Sequence, residues 1–258
     1  MIDKNLNKYA NRIVNAFLND KIISPLPIKY TKKLSEAQKF IRLCESKIKK
    51  PIIGFKAAGT GIPVLKKLKE KEPFYASVYK HNVFKDNRAV KINKFTLGIE
   101  LEVCYIIKKK FFSFNKKITN YNIKRFISYI APCIEVVGYR QKKSGIKSLG
   151  DLCSDFGANV KFVVGSKKKF ANHSVKNLKT NITNQKINQS VNGNTNTVYK
   201  NPMNSLKFVL TRLKKDKIKL NRDFYVFTGS SVGVVPILGK GVYRGVIKSL
   251  GSVTSRIS

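Results

Sequence analysis

The sequence predicts an α+β protein, with an N-terminal helical segment packed on a largely antiparallel or mixed β core. Two observations carry this prediction. Apolar residues recur at helical spacing in roughly the first fifty residues, and short β-branched and aromatic runs dominate behind them. At 258 residues, with a 42% hydrophobic composition, 16 Phe and 11 Tyr, the chain can bury one large core. The expected organisation is a helical segment over residues 1–50 and a β-rich domain over 51–258, joined as one continuous unit.

In chain order, Leu6, Tyr9, Ile13, Ala16 and Phe17 give residues 5–19 the stripe of an amphipathic helix. Pro25 and Pro27 break the connection that follows. Ser35 with Gln38 has the capping-box spacing that opens a second helix, reaching Lys47. Pro51 to Lys56 reads as a short strand, followed by a glycine turn (Gly59, Gly61) and a short helix from Pro63 to Leu68. Pro73 to Val78 and Val90 to Lys94 are short strand candidates, and Phe95 to Ile107 is a longer one. A basic loop, Lys108 to Lys117, leads into Ile118 to Ile130, where Tyr121, Phe126 and Tyr129 suggest a helix stopped by Pro132. Cys133 to Arg140 is an apolar strand, and Asp151 and Asp155 fall in a polar turn before the strand Val160 to Gly165.

The Asn- and Thr-rich stretch 172–201 alternates over Leu178 to Ile182 and Lys186 to Val191, and so reads as a surface hairpin. Asn201-Pro202 is an N-cap and first-turn pair that opens a helix to Lys215. Phe224 to Thr228, Val234 to Leu238 and Gly241 to Ile247 complete the β part, and the chain closes on Leu250-Gly251-Ser252-Val253 and a few residues more.

Lys and Arg number 52 against 14 Asp and Glu, a formal net charge of +38. Such a balance suits polyanion binding. Only nine of the basic residues are arginine, however, and the lysines run along the whole chain without an RNP-like or helix-turn-helix signature. A compositional bias toward Lys, Asn and Ile accounts for the charge, and nucleic acid is not the expected partner. Cys44, Cys104, Cys133 and Cys153 lack metal-ligand spacing and read as reduced core residues. No apolar run approaches the roughly 18–20 residues of a membrane span, and the N-terminus has no apolar signal region. A cytoplasmic protein with no membrane partner is expected.

Within the longest strand, Glu100 and Glu102 are two residues apart, so both side chains leave one face. Their Cα atoms should lie about 6.6 Å apart, and two charges at that distance repel by about 2–3 kcal/mol at an effective dielectric near 20. A cation, a shared proton or solvent must offset that. Spacing alone is equally compatible with a solvated polar stripe, since Glu70 and Glu72 repeat it in a charged loop. In so lysine-rich a chain a lysine is usually a solvated side chain, and Lys56 gains interest only from its place, at the end of an apolar run just before small residues.

Five ordered stretches resemble the fumarylacetoacetate hydrolase superfamily, in the branch of 2-keto-4-pentenoate hydratases and oxalocrotonate decarboxylases. They are Gly54-Phe55-Lys56, Ile99-Glu100-Leu101-Glu102, Pro132 through Arg140, Asn201-Pro202-Met203-Asn204 and Thr228-Gly229. The resemblance implies a mixed β-sandwich or barrel-like core, and Mg²⁺ or Mn²⁺ held by Glu100, Glu102 and Glu135. Hard oxygen ligands suit those ions and leave positions for a 2-oxo acid, whose enolate the metal would stabilise as a Lewis acid. It further implies catalytic roles for Lys56 and Asp155, and substrate binding at Thr228 and the Gly229 amide. The match departs at Phe74, where the family's hydratases carry an acid, at Phe156, which replaces an asparagine, and at Asn201, which replaces a histidine.

The activity this implies is a metal-dependent lyase, a hydratase acting on a small 2-hydroxydienoate or 2-oxo acid such as 2-keto-4-pentenoate, in a homo-oligomer. Decarboxylation of an oxalocrotonate-type 2-oxo-enedioate and carbon–carbon hydrolysis on the same centre are the alternatives. Hydrolysis ranks lower because His81 and His173, the only histidines, read as loop residues. A non-catalytic relative that binds polyanions through its lysines is the alternative of a different class.

Overall fold

The computed structural model describes residues 4–141, 146–171 and 174–258. Two amphipathic helices, α1 (Lys4–Leu18) and α2 (Leu34–Ser46), open the chain. Their buried stripes, Ala10, Ile13, Val14 and Phe17 on α1 and Ala37, Phe40, Ile41 and Cys44 on α2, follow the helical repeat. They do not form a separate body. Both stripes share one core with Ala58, Leu65, Phe74, Tyr79, Leu149, Cys153 and Phe156 from the rest of the chain. The expected Ser35 cap is not used: α2 starts at Leu34, with Lys33 as an N-cap that makes no side-chain hydrogen bond. Burial of its apolar face places this helix, not its capping residue.

Behind the helices come β1 (Ile52–Ala58), α3 (Ile62–Lys67), β2 (Phe74–Tyr79), β3 (Val83–Lys85), β4 (Arg88–Val90) and the long β5 (Thr96–Ile107). Then follow β6 (Ile127–Gly138), α4 (Leu149–Ser154), β7 (Asn159–Val164), β8 (Lys168–Lys169), β9 (Lys179–Asn184) and β10 (Gln189–Asn194). The chain ends with α5 (Pro202–Lys215), β11 (Phe224–Ser230), β12 (Gly241–Ile247) and β13 (Gly251–Ile257). One mixed sheet runs β2-β1-β11-β5-β6-β7-β3, with β8 pairing β6; a second runs β10-β9-β12-β13-β4. β1–β11, β3–β7 and β13–β4 are parallel pairs, and the other ladders are antiparallel.

β5 shows why the sheet has two different faces. Its odd positions, Ile99, Leu101, Val103, Tyr105 and Ile107, join the main core with Ile182, Tyr243, Ile247 and Val253 of the second sheet. Its even positions, Glu100, Glu102 and Cys104, leave the opposite face. Cys104 there packs with Ala131, Cys133 and Phe162.

Several expectations are corrected. Ile118 to Ile130 is not a helix: a 3-10 turn at Asn122–Phe126 gives way to β6 at Ile127. Of the three aromatics only Phe126 is buried; Tyr121 is 87% exposed and Tyr129 43%. Pro132 lies within β6 opposite Val103, and its carbonyl accepts from the Gly165 amide. Asp151 belongs to α4, closing a capping box with Ser148. Val234 to Leu238 forms only the bridge Ile99–Val235. The strand placed at Val90 to Lys94 is β4, centred earlier. The β9–β10 hairpin is present, and β9 also pairs with β12, so it extends the second sheet. Asn201 caps α5 as expected, accepting from the Met203 amide at 3.0 Å.

All four cysteines are free and buried, and burial raises each thiol above its ordinary pKa. A thiolate-seeking reagent should therefore leave the native chain unmodified and label four thiols per chain after denaturation. Rapid labelling of the native protein would contradict this packing.

Candidate metal centre

The register of β5 against β6 builds the site. Glu100 lies opposite Glu135, and Glu102 opposite Cys133, so the period-two face of β5 and its antiparallel partner bring three carboxylates together. One oxygen from each lies within 4.8 Å of the other two. Glu102 and Glu135 are fully buried, while Glu100 reaches the wall of a cavity of about 240 Å³.

Lys56 comes from β1, three strand spacings from β6 along the sheet. At about 4.8 Å per spacing a flat sheet would place it about 14 Å away. Its Nζ nevertheless lies 2.5 Å from Glu135 Oε1 and donates also to the Gly157 carbonyl at 2.9 Å. The sheet is therefore curled, with the carboxylates and Lys56 on its concave side. On β11 the register against β5 shifts between Phe227 and Ser230, and the irregularity turns the Gly229 amide onto Glu102 Oε2 at 3.0 Å. Gly229 has φ +97°, and a Cβ there would lie 2.0 Å from Thr60 Oγ1, so the position requires glycine.

Glu102 Oε1 and Glu135 Oε2 are buried without a hydrogen-bond partner. Three carboxylates against one ammonium leave two formal negative charges in this buried cluster. Burial, with the Glu135 charge next, pushes Glu100 up to about 7 and Glu102 well above its ordinary value. Burial also raises Glu135, against the opposing pull of Lys56. Burial alone would lower Lys56, but Glu135, Glu100 and Glu102 outweigh it and raise its pKa. Two orphaned oxygens, hard donors and a deficit of two positive charges fit one divalent cation.

Lys56, Glu100 and Gly229 line the cavity, while Asp155 and Thr228 are not among its lining residues. The Thr228 hydroxyl donates to the Val103 carbonyl at 2.8 Å, and the Gly229 amide is already engaged by Glu102, so neither offers the free substrate donor expected of it. Asp155 is buried in an ion pair: Arg140 Nη1 donates to Oδ1 at 2.9 Å and the Arg140 amide to Oδ2. Nη2 of Arg140 donates to the Asn159 carbonyl at 2.8 Å, and its guanidinium lies 4.9 and 5.0 Å from the Phe17 and Phe95 ring centres.

After Asp155 the backbone is left-handed at Phe156, Gly157 and Ala158, with φ of 52, 67 and 59°. Each non-glycine residue there costs about 1–2 kcal/mol. The Ala158 amide donating to Asp155 O and Asn159 Nδ2 donating to Phe156 O hold the turn, which presents the Gly157 carbonyl to Lys56. Asp155 thus acts on the site at one remove.

Gly157 and Arg140 were missed as site residues. An arginine closing an apolar strand in a chain with few arginines was the available signal for the second. Phe74 is buried against Ala58 and the Gly157 turn, and nearby Glu72 pairs with Arg212 at the surface. No acid from this segment lines the cavity. His81 packs against Phe17 and Tyr79, and His173 lies outside the described residues.

No protein-family model matches the chain, and no curated protein matches it by sequence. Solved structures do match. 4-Oxalocrotonate decarboxylase from Pseudomonas putida G7, complexed with magnesium and adipate, superposes with a TM-score of 0.84 at 19% identity, over 100% of this chain and 99% of that one. A protein assigned to the fumarylacetoacetate hydrolase family, from Yersinia pestis CO92, gives 0.59 at 15% identity, over 82% and 95% of the two chains. The chain has the fumarylacetoacetate hydrolase fold. The same fold relates it to fumarylpyruvate hydrolase from Pseudomonas aeruginosa, in complex with Mn²⁺ and pyruvate, at TM-score 0.59 and 11% identity, over 82% and 91%. The mixed sheets behind N-terminal helices are the architecture that the motifs implied.

Three outcomes follow from this geometry. Glu100 holds its proton more tightly folded, at about 7 against an ordinary 4.5, so the metal-free protein should lose stability as pH rises across that window. Mg²⁺ or Mn²⁺ should then raise the melting temperature more at pH 8 than at pH 5.5, because protons compete for the same oxygens. An increment independent of pH would contradict this. Asp155→Ala leaves Arg140 buried and unpaired and should destabilise the fold by about 3–5 kcal/mol in denaturant titrations.

Proposed function

We propose that the chain is a member of the fumarylacetoacetate hydrolase superfamily and a divalent-metal-dependent lyase acting on a small 2-hydroxydienoate or 2-oxo acid, of the hydratase type. The observation that carries this reading is the cluster of Glu100, Glu102 and Glu135, with two orphaned oxygens, beside a lysine at the wall of a small cavity. The similar folds support it: their structures hold magnesium, calcium or Mn²⁺, one of them with pyruvate, the simplest 2-oxo acid.

Glu100, Glu102 and Glu135 would hold the cation, with the Gly229 amide fixing Glu102 and Lys56 fixing Glu135. A divalent ion there supplies Lewis acidity toward the carboxylate and keto oxygens of a 2-oxo acid. Lys56 Nζ is a protonated donor at the cavity wall and stands ready to stabilise negative charge or to pass a proton beside the keto group. The Gly157 carbonyl aims it.

A second reading is decarboxylation, favoured by one observation. Phe74 puts an aromatic core residue where the family's hydratases carry an acid, and among the described residues Glu100 of the carboxylate cluster is the one acid that lines the cavity. Decarboxylation needs no activated water, whereas hydration does.

The test is a panel of 2-hydroxydienoates and 2-oxo-enedioates assayed with Mg²⁺. Loss of dienol absorbance without CO₂ supports hydration, CO₂ release supports the second reading, and silence on the whole panel contradicts both. Lys56→Met should keep metal binding and lower turnover by about 10²-fold or more. Unchanged turnover would remove Lys56 from the mechanism.

A further inference from the structure

Thr228 commits its hydroxyl to the Val103 carbonyl, so a hydroxyl donor for substrate has to come from another group that faces the cavity. Much of the described lining is aliphatic, with Val64, Leu97, Val137, Ile146, Leu152 and Val234 contributing the larger side chains. Four of its side chains are polar: Lys56, Thr60, Glu100 and Ser230. Three of these already have partners. Lys56 is held by Glu135 and the Gly157 carbonyl, and Glu100 faces its two fellow carboxylates. The Ser230 hydroxyl donates to the Gly233 carbonyl at 2.7 Å and accepts from the Val232 amide. Thr60 differs. Among the described residues its hydroxyl has no hydrogen-bond partner, and it is not one of the orphaned oxygens sealed inside the protein, so it opens into the cavity.

The hydroxyl lies at the carboxylate end of the cavity. Thr60 is only 5% exposed, well inside the mouth. Its Oγ1 sits 2.0 Å from where a Cβ on Gly229 would be, so it faces the Gly229 Cα directly. The amide of that same glycine holds Glu102 Oε2 at 3.0 Å. The backbone that carries Thr60 is tied down on both sides. Its carbonyl accepts from the Tyr199 amide at 2.9 Å, and Gly61 bridges Val198. A β-branched side chain on a fixed backbone has few rotamers, so the direction of the hydroxyl is set before any ligand arrives.

We infer that the Thr60 hydroxyl binds substrate, donating a hydrogen bond to the carboxylate of a 2-oxo acid beside Glu102. The inference rests on the reading of the site as one for 2-oxo acids. It moves to Thr60 the substrate contact that the motif placed on Thr228. An ionised carboxylate is the acceptor to which a hydroxyl donates most strongly. The glycine at 229 then has two uses: its amide fixes a metal-ligating glutamate, and its missing side chain leaves room for the donor.

The test compares wild type, Thr60→Val and Thr60→Ser in two titrations: Mn²⁺ into the protein, and pyruvate into the Mn²⁺-loaded protein. Valine keeps the shape of threonine and removes its hydroxyl. Mn²⁺ affinity should stay at the wild-type level in both variants. Pyruvate should bind about tenfold weaker to Thr60→Val, the loss of one hydrogen bond to a charged group, and Thr60→Ser should recover most of that loss. Equal pyruvate affinity in Thr60→Val and wild type overturns the inference. So does a parallel loss of Mn²⁺ affinity, which would make Thr60 a support of the metal site, or a serine variant no better than valine. Wild-type protein that binds Mn²⁺ but not pyruvate removes the 2-oxo acid reading, and the inference with it.

Discussion

Three carboxylates held on one face of two paired strands set the terms for the rest of this structure. Buried like charges are costly, and a single lysine offsets only part of the cost at Glu100, Glu102 and Glu135. The surroundings are arranged around that cluster. The β11 irregularity turns the Gly229 amide onto Glu102, the curl of the sheet brings Lys56 to Glu135, and a left-handed turn fixes Lys56 from behind. The first two supply donors to carboxylates that the strands alone would leave bare, and the turn supplies the carbonyl that accepts from Lys56. What remains is two unpartnered oxygens and a charge imbalance of the magnitude a divalent ion neutralises.

The same strand that carries the chemistry also carries the core. Odd positions of β5 fill the space between the sheets, and even positions furnish the site. A slip of one residue would send glutamates into the core and Leu101 toward the cavity, so stability and site geometry select the same register. Farther out, the Arg140–Asp155 pair ties the end of β6 to the residues after α4, beneath Phe17 of the first helix. The N-terminal helices are thereby part of the scaffold that holds the Gly157 carbonyl in place.

How much of this was legible in the sequence follows from the range of each interaction. Period two alone placed Glu100 and Glu102 on one face, and local cap chemistry placed the start of α5. Glu135 needed the pairing of distant strands, which only the family resemblance supplied. Asp155 and Thr228 were recognisable as motif residues, but what their side chains touch is decided by Arg140 and Val103, neither of them a sequence neighbour. The start of β6 was misread because exposed tyrosines imitate a helical stripe when burial is unknown. The aliphatic wall of the cavity is assembled from six separated segments, each of which reads locally as ordinary core.

The central claim is that the three glutamates form one divalent cation site. Equilibrium binding of Mn²⁺ to the purified chain, followed by its paramagnetic resonance signal, tests this without any assumption about substrate. The account predicts one ion per chain, with affinity at least tenfold weaker in Glu102→Gln, which keeps the shape of the side chain and removes its charge. No bound ion in the wild type, or equal affinity in Glu102→Gln, would contradict it.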